Sequence, residues 1–210
     1  MRREHITSVN YQLVDYIESP NCAFIDPEIQ DWNSYKIEIE FMKTSSLYNF
    51  SLFGSSDSGS NWSGVVYFIN STRFYPAIGS TNGVINNYIN LNTRYTYSLE
   101  VNTTTKQWVN KLNNTVNSGT YTGNKPSNYH IVLFGHNQGG ANGIKEIMPL
   151  GMRVYSFKIT LDGTLVRDYL PAVDSNGKVG LLDNCGSICS LTGTSFYVQA
   201  NRFTYGQIIS

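Results

Sequence analysis

The segment Ser34–Lys43, SYKIEIEFMK, alternates apolar and polar residues. Tyr35, Ile37, Ile39 and Phe41 fall on one side, and Lys36, Glu38 and Glu40 on the other. Successive side chains of a strand point to opposite faces, so this period predicts a strand with one buried and one wet face. RYTYSLEVN repeats the pattern with Tyr95, Tyr97, Leu99 and Val101 against Arg94, Thr96, Ser98 and Glu100. RVYSFKITL repeats it again, with Tyr155, Phe157, Ile159 and Leu161 inward.

Shorter strands are expected in YNFSLFGS, GVVYFIN, KQWVNKLN, HIVLFGHN, TLVRDYL and SFYVQ. Between them lie the turn signals SSDSGSN, NTTTK, Asp162-Gly163 and Ser175-Asn176-Gly177. An Asp-Gly step between alternating strands is a strong hairpin signal. Only PEIQDW and GANGIKEIMPLG suggest helix, each a single turn. Many short strands at regular spacing indicate a sandwich or a barrel. The composition agrees: 15 Tyr and 10 Phe suit half-buried pleated surfaces, and 18 Gly suit turns. With no internal repeat and no linker-like tract, the 210 residues are read as residues 1–11, a tail or docking arm, and one domain over residues 12–210.

Charge excludes some classes. Charged residues make up 14% and the net charge is zero, so the chain lacks the basic excess of a nucleic-acid binder; its one basic cluster is Arg2-Arg3. No apolar run approaches the roughly 18 residues of a membrane span. MRREHITSVNYQLVDY has a charged start without an apolar stretch behind it, unlike a secretory signal. That leaves a protein kept in its cell, one released by lysis or assembly, or one whose signal was removed before Met1. The cysteines are Cys22, Cys185 and Cys189, and an odd count argues against a complete disulfide framework. For Cys185 and Cys189, in CGSIC, the open readings are free thiols, a local disulfide or half of a metal site; the last lacks two further soft ligands nearby.

Two stretches carry a family likeness. LVDYIESPNCAFIDPEI resembles the pattern LEYIESTGTQYIDTGI. YSFKITLDGTLVRDYLPAVDSNGKVGLLDN, followed by FYVQANRFTYG, is similar to the closing segment of the same family, and HIVLFGHNQGG fits its central strand and loop. The family is the concanavalin A-like lectin/glucanase, or laminin-G-like, domain, in the branch common in bacteriophages and prophages of gut bacteria. The likeness spans about residues 12–206. It implies an all-β fold, a two-sheet antiparallel jelly-roll sandwich with at most one or two short helical turns. Where the family continues GLYDKVSGKFYYN, this chain has the longer, thiol-bearing GLLDNCGSICSLTGTSFYVQ.

The resemblance implies three functions in order. The first is a non-catalytic structural, decoration or fibre component of a bacteriophage virion, located in the particle. Its partners would be other virion proteins, further copies of itself and glycans of bacterial or host surfaces, with no nucleic acid and no membrane. The second is a soluble carbohydrate-binding lectin module. The third is a glycoside hydrolase. The glucanase branch carries E-x-D-x-x-E on a strand, but KIEIEF has Ile39 where the aspartate belongs and lacks the final glutamate. Glu38 and Glu40 therefore read as the wet face of a strand, paired with Lys36, and no catalytic residue is assigned.

Candidate ligand contacts are Trp62, His136, Asn137 and Gln138. Trp62 lies in the polar stretch SGSNWSG and offers a face on which a sugar can stack. His136, Asn137 and Gln138 lie in the Gly-rich FGHNQGGANG, read as a loop at a sandwich end. That segment lacks the serine of a nucleophile elbow and the Lys-Ser/Thr ending of a phosphate loop. Trp108 is expected in the core, Trp32 beside the terminus, His5 in the tail and His130 at a strand start. Asp162, Asp168, Asp174 and Asp183 read chiefly as turn formers. Calcium is the minority alternative for DSNG, which lacks the later acidic ligands of an EF-hand, so no metal ligand or cofactor is assigned.

Overall fold

The computed structural model describes residues 10–19, 24–27, 29, 33–57, 61–80, 86–123, 129–138, 143–145, 151–184, 196–197 and 203–209. Cys22, Cys185, Cys189, His5, Trp32 and the segment 1–9 lie outside them. The described residues contain strands and turns and no helix.

Two antiparallel sheets pack face to face. The larger runs, neighbour by neighbour, Thr115–Thr120, Gln107–Leu112, Arg94–Asn102, Ser34–Lys43, Met152–Leu161, Thr164–Asp174, Val179–Asp183 and Phe196–Tyr197. Tyr11–Leu13 joins it on Thr164–Asp174, and Ile17–Glu18 joins Met152–Leu161 and Thr204–Tyr205. The smaller sheet runs Val132–Leu133, Phe50–Gly54, Asn61–Phe68, Arg73–Gly79 and Asn87–Tyr88, with Ser56–Asp57 beside Asn61–Phe68. A separate short hairpin pairs His136–Asn137 with Ile144–Lys145.

The alternation read from SYKIEIEFMK holds: Tyr35, Ile37, Ile39 and Phe41 are buried and the residues between them are partly exposed. The two inner faces meet through aromatic rings. Phe41 touches Phe68 and Phe74 edge-on at 6.5 and 6.1 Å, Phe53 reaches Phe157 at 6.1 Å, and Phe74 meets Tyr97 at 5.2 Å. Each such side chain contributes about 1.5–3 kcal/mol by leaving water, and each aromatic contact about 0.5–1.5 kcal/mol more. Asp162 and Gly163 turn the chain between Met152–Leu161 and Thr164–Asp174, both with positive φ (46° and 80°), as the tightest hairpin turns require.

The inward row of Ser34–Lys43 ends on Lys43, which is fully buried. Its ammonium donates to the carbonyls of Ser45 and Ser71 and lies 5.8 and 5.7 Å from the ring centres of Phe50 and Phe68. Burial disfavours the charged form and lowers its pKa to about 8.

Two expectations change, and two strands appear that the sequence pattern did not suggest. HIVLFGHN is two strands, Val132–Leu133 and His136–Asn137, separated by Phe134, whose φ is +66°. Ile144–Lys145 of GANGIKEIMPLG is strand, not helical turn, because it closes the hairpin with His136–Asn137. Arg73–Gly79 is a strand although it contains Pro76. Asn87–Tyr88 pairs only with Arg73 and Phe74, so among the described residues Pro76 sits where that edge has no further neighbour and its missing N–H costs no ladder bond. Thr115–Thr120 is a strand of almost wholly polar sequence, held as the second arm of a hairpin with Gln107–Leu112. Within PEIQDW, Pro27 and Ile29 are not helical; residues 28 and 30–32 lie outside the described set.

Candidate functional site

The polar residues of the alternating strands converge on the outer face of the larger sheet. Register places Glu38 opposite Ser98 on one side and Lys158 on the other. Ser98 in turn faces Lys111, and Lys158 faces Asp168. A polar row of Lys111, Ser98, Glu38, Lys158 and Asp168 thus crosses five adjacent strands. Beside it, Glu40 lies between Thr96 and Ser156. Most of these residues line an open groove of about 330 Å³.

Ion pairs order the groove. Lys36 meets Glu38 at 2.8 Å, as the sequence suggested, and Lys158 meets Asp168 at 3.2 Å. Arg94 donates to Glu40 at 2.6 Å, and this hydrogen bond raises the pKa of the guanidinium. The same guanidinium stacks 3.8 Å from the centre of Tyr155. Tyr155 meets Tyr16 edge-on, and Arg153, paired with Glu18 at 2.9 Å, lies over Tyr16. Cation–aromatic stacking of this kind holds Arg94 and Arg153 in place and fixes one margin of the polar face. Lys111, at the far end of the row, has no ion-pair partner among the described residues and is exposed.

The predicted contact residues lie elsewhere, and three of the four are half-buried. Trp62 and His136 do come together, with ring centres 5.6 Å apart. The His136 ring is fully buried and its Nδ1 lies 3.2 Å from Ser51 Oγ, so it faces protein rather than solvent. Ser51 pairs with Tyr67, which alternates with the core residue Phe68, so Ser51 points away from the main core. His136–Asn137, within the Gly-rich segment, therefore pairs with Ile144–Lys145 in a hairpin against the outer face of the smaller sheet, where a free loop at a sandwich end was expected. Asn137 bridges to Ser55, and the Gln138 N–H donates to the Gly143 carbonyl at 3.0 Å; both residues remain half-exposed.

The four aspartates do not converge. Asp174 accepts from the N–H groups of Asn176 (2.9 Å) and Lys178 (2.7 Å), a turn-former's role. Asp162 accepts from the Ser34 N–H at 2.8 Å. Asp168 faces Lys158. Asp183 is buried beside Arg167 at 3.6 Å and accepts the Asp168 N–H, which is not a turn role. Among the described residues no three His, Cys, Asp or Glu side chains gather as metal ligands. Trp108 is in the core, and His130 lies 3.1 Å from Asp26.

Neither a protein-family model nor a curated protein sequence matches the chain. Solved structures do. The chain is similar to a candidate carbohydrate binding protein from Bacteroides ovatus, with a TM-score of 0.51 and 12% identity over 89% of this chain and 60% of that one. The chain thus spans only about 60% of the length of that protein. It is also similar to the heptameric SAP-like pentraxin of Limulus polyphemus, with a TM-score of 0.50 and 9% identity over 70% of this chain and 76% of the other. The shared feature is the fold, a two-sheet antiparallel β-sandwich. Identities this low carry the architecture and leave the site to be argued from its own residues.

Proposed function

We propose that the chain is a non-catalytic carbohydrate-binding module whose glycan lies on the outer face of the larger sheet. The observation that carries this is the five-strand row Lys111, Ser98, Glu38, Lys158 and Asp168, of which all but Asp168 line an open groove. Sugar hydroxyls both donate and accept; carboxylates accept, ammonium groups donate and serine does both, so such a row can serve successive hydroxyls. Hydrolysis would need one carboxylic acid and one carboxylate acting together. Glu38 and Glu40 are each committed to a cation, which suits holding a ligand better than exchanging a proton with it. The binding ascribed to the Bacteroides structure points the same way.

A second contact region is favoured by Trp62, whose half-exposed indole lies against His136, next in the chain to the half-exposed Asn137 and Gln138. In this reading His136 positions the indole. A glycan array probed with and without calcium tests binding and its metal requirement together. Loss of a hit in Glu38→Gln and Lys111→Ala, with Trp62→Ala unaffected, assigns the groove; the reverse assigns the Trp62 rim. Silence across diverse bacterial and host glycans sinks the reading. The narrower role, a decoration or fibre component of a bacteriophage particle, rests on the sequence resemblance. It predicts co-sedimentation with DNA-filled particles after a high-salt wash.

A further inference from the structure

Strand edges expose unpaired main-chain groups, and proteins usually guard them with prolines, bulges, charges or brevity. Three edges of this sandwich are guarded. Val132–Leu133 and Phe196–Tyr197 are two residues long. Arg73–Gly79 carries Pro76, and its pairing shifts register between Ser63 and Val65.

Thr115–Thr120 is different. It is the outermost strand of the larger sheet, and among the described residues nothing pairs with its far side. TVNSGT contains no charge and no proline, and it pairs with Gln107–Leu112 over six residues without a register shift. The Tyr121 N–H donates to the Lys106 carbonyl at 3.0 Å. Antiparallel alternation then turns the main-chain groups of Thr115, Asn117 and Gly119 toward Gln107–Leu112, and those of Val116, Ser118 and Thr120 toward the open edge. The Thr120 carbonyl accepts from Trp108 Nε1 at 3.3 Å and keeps a second lone pair.

We propose that this edge joins a second copy of the chain, with Thr115–Thr120 pairing antiparallel to itself across a two-fold axis so that the two larger sheets become one. Centred on Ser118, the pairing sets Ser118 against its copy and Val116 against Thr120 of the partner subunit. Every outward N–H and C=O then has a partner. The strand is uncharged, so no like charges meet across the axis. Val116 and Val109, 58% and 39% exposed, share the outer face there, and the copy gives Val116 a cross-strand neighbour. An isologous contact of this kind closes at two copies.

The test is light scattering coupled to gel filtration across a concentration series, with circular dichroism as the check on fold. The expected wild-type species has twice the 23.6 kDa chain mass. Ser118→Pro deletes an outward N–H while sparing every bond to Gln107–Leu112, so a folded monomer is expected. Ser118→Lys sets two ammonium groups directly opposite each other across the axis and should weaken the dimer roughly tenfold or more. A monomeric wild type overturns the proposal, as does a folded Ser118→Pro protein that stays dimeric. Should Ser118→Pro not fold, Ser118→Lys decides, and wild-type dimer affinity in that variant overturns it.

Discussion

On the larger sheet the residues that point away from the core, Glu38, Glu40, Ser98 and Lys158, line an open groove; on the smaller sheet Ser51, Val65 and Ala77, which also point away from it, are buried. Both sheets follow the same two-residue period. The difference is what lies over them. The hairpin of His136–Asn137 and Ile144–Lys145 is anchored against the smaller sheet by the His136 ring on Trp62 and Ser51. One outer face is therefore open to solvent and the other is a second, small interior. Strand polarity says which residues face outward, and only the path of the neighbouring chain says whether outward means wet.

The comparison breaks most readily at His136. His136→Ala removes a buried ring and leaves the Ser51 hydroxyl without this contact, so a loss of about 2–4 kcal/mol in urea unfolding is expected. A loss below about 0.5 kcal/mol would mean that the hairpin is held by something else.

Lysines sharpen the contrast between inside and outside. Lys43 has a folded pKa of about 8, below the 10.5 of an exposed lysine. Between those values the unfolded chain binds more protons, so stability rises with pH through that window, by at most about 1.4 kcal/mol per unit. Burial raises the pKa of Tyr35 and Tyr97, so above about pH 10 the unfolded chain loses tyrosine protons that the fold retains, and stability turns down again. Unfolding midpoints across pH 7.5–9.5 check the rise. Lys43→Met should flatten it, and Lys111→Gln on the outer face should not. A rise that survives Lys43→Met assigns the effect to another group.

Among stability effects the smallest belongs to the open face. Glu40→Gln breaks a partly exposed ion pair with Arg94 and should cost no more than about 1 kcal/mol by thermal or urea unfolding. A cost of several kcal/mol would make the Glu40–Arg94–Tyr155 cluster a structural element rather than the margin of a binding surface.

Much of the sandwich was legible in the chain. SYKIEIEFMK, RYTYSLEVN and RVYSFKITL became long neighbouring strands of one sheet, and the Asp162-Gly163 turn joined the strands expected of it. Arg73–Gly79 was hidden by Pro76, which a partner on one side only tolerates, and Thr115–Thr120 by a sequence too polar to show a buried face. The site was legible in part: Glu38 and Glu40 stood out as the wet side of a strand with Lys36 beside them. Their neighbours Ser98, Lys111 and Lys158 were visible as polar positions in other segments, with nothing to say that they would stand in one row.

Alternation is a local property, written by residues two apart, so the sequence by itself determined the all-β class, the main strands and the inward side of each, except at Tyr155, expected inward, which the bulge between Val154 and Ser156 sets against Arg94 at the margin of the outer face. Register joins segments far apart in the chain, 120 residues between Glu38 and Lys158 and 188 between Ile17 and Tyr205, and the covering of a face depends on where a distant hairpin comes to rest. Tertiary structure alone therefore decided that Glu38 shares a groove with Lys158, that Lys43 lies buried on aromatic rings, and that His136 turns inward.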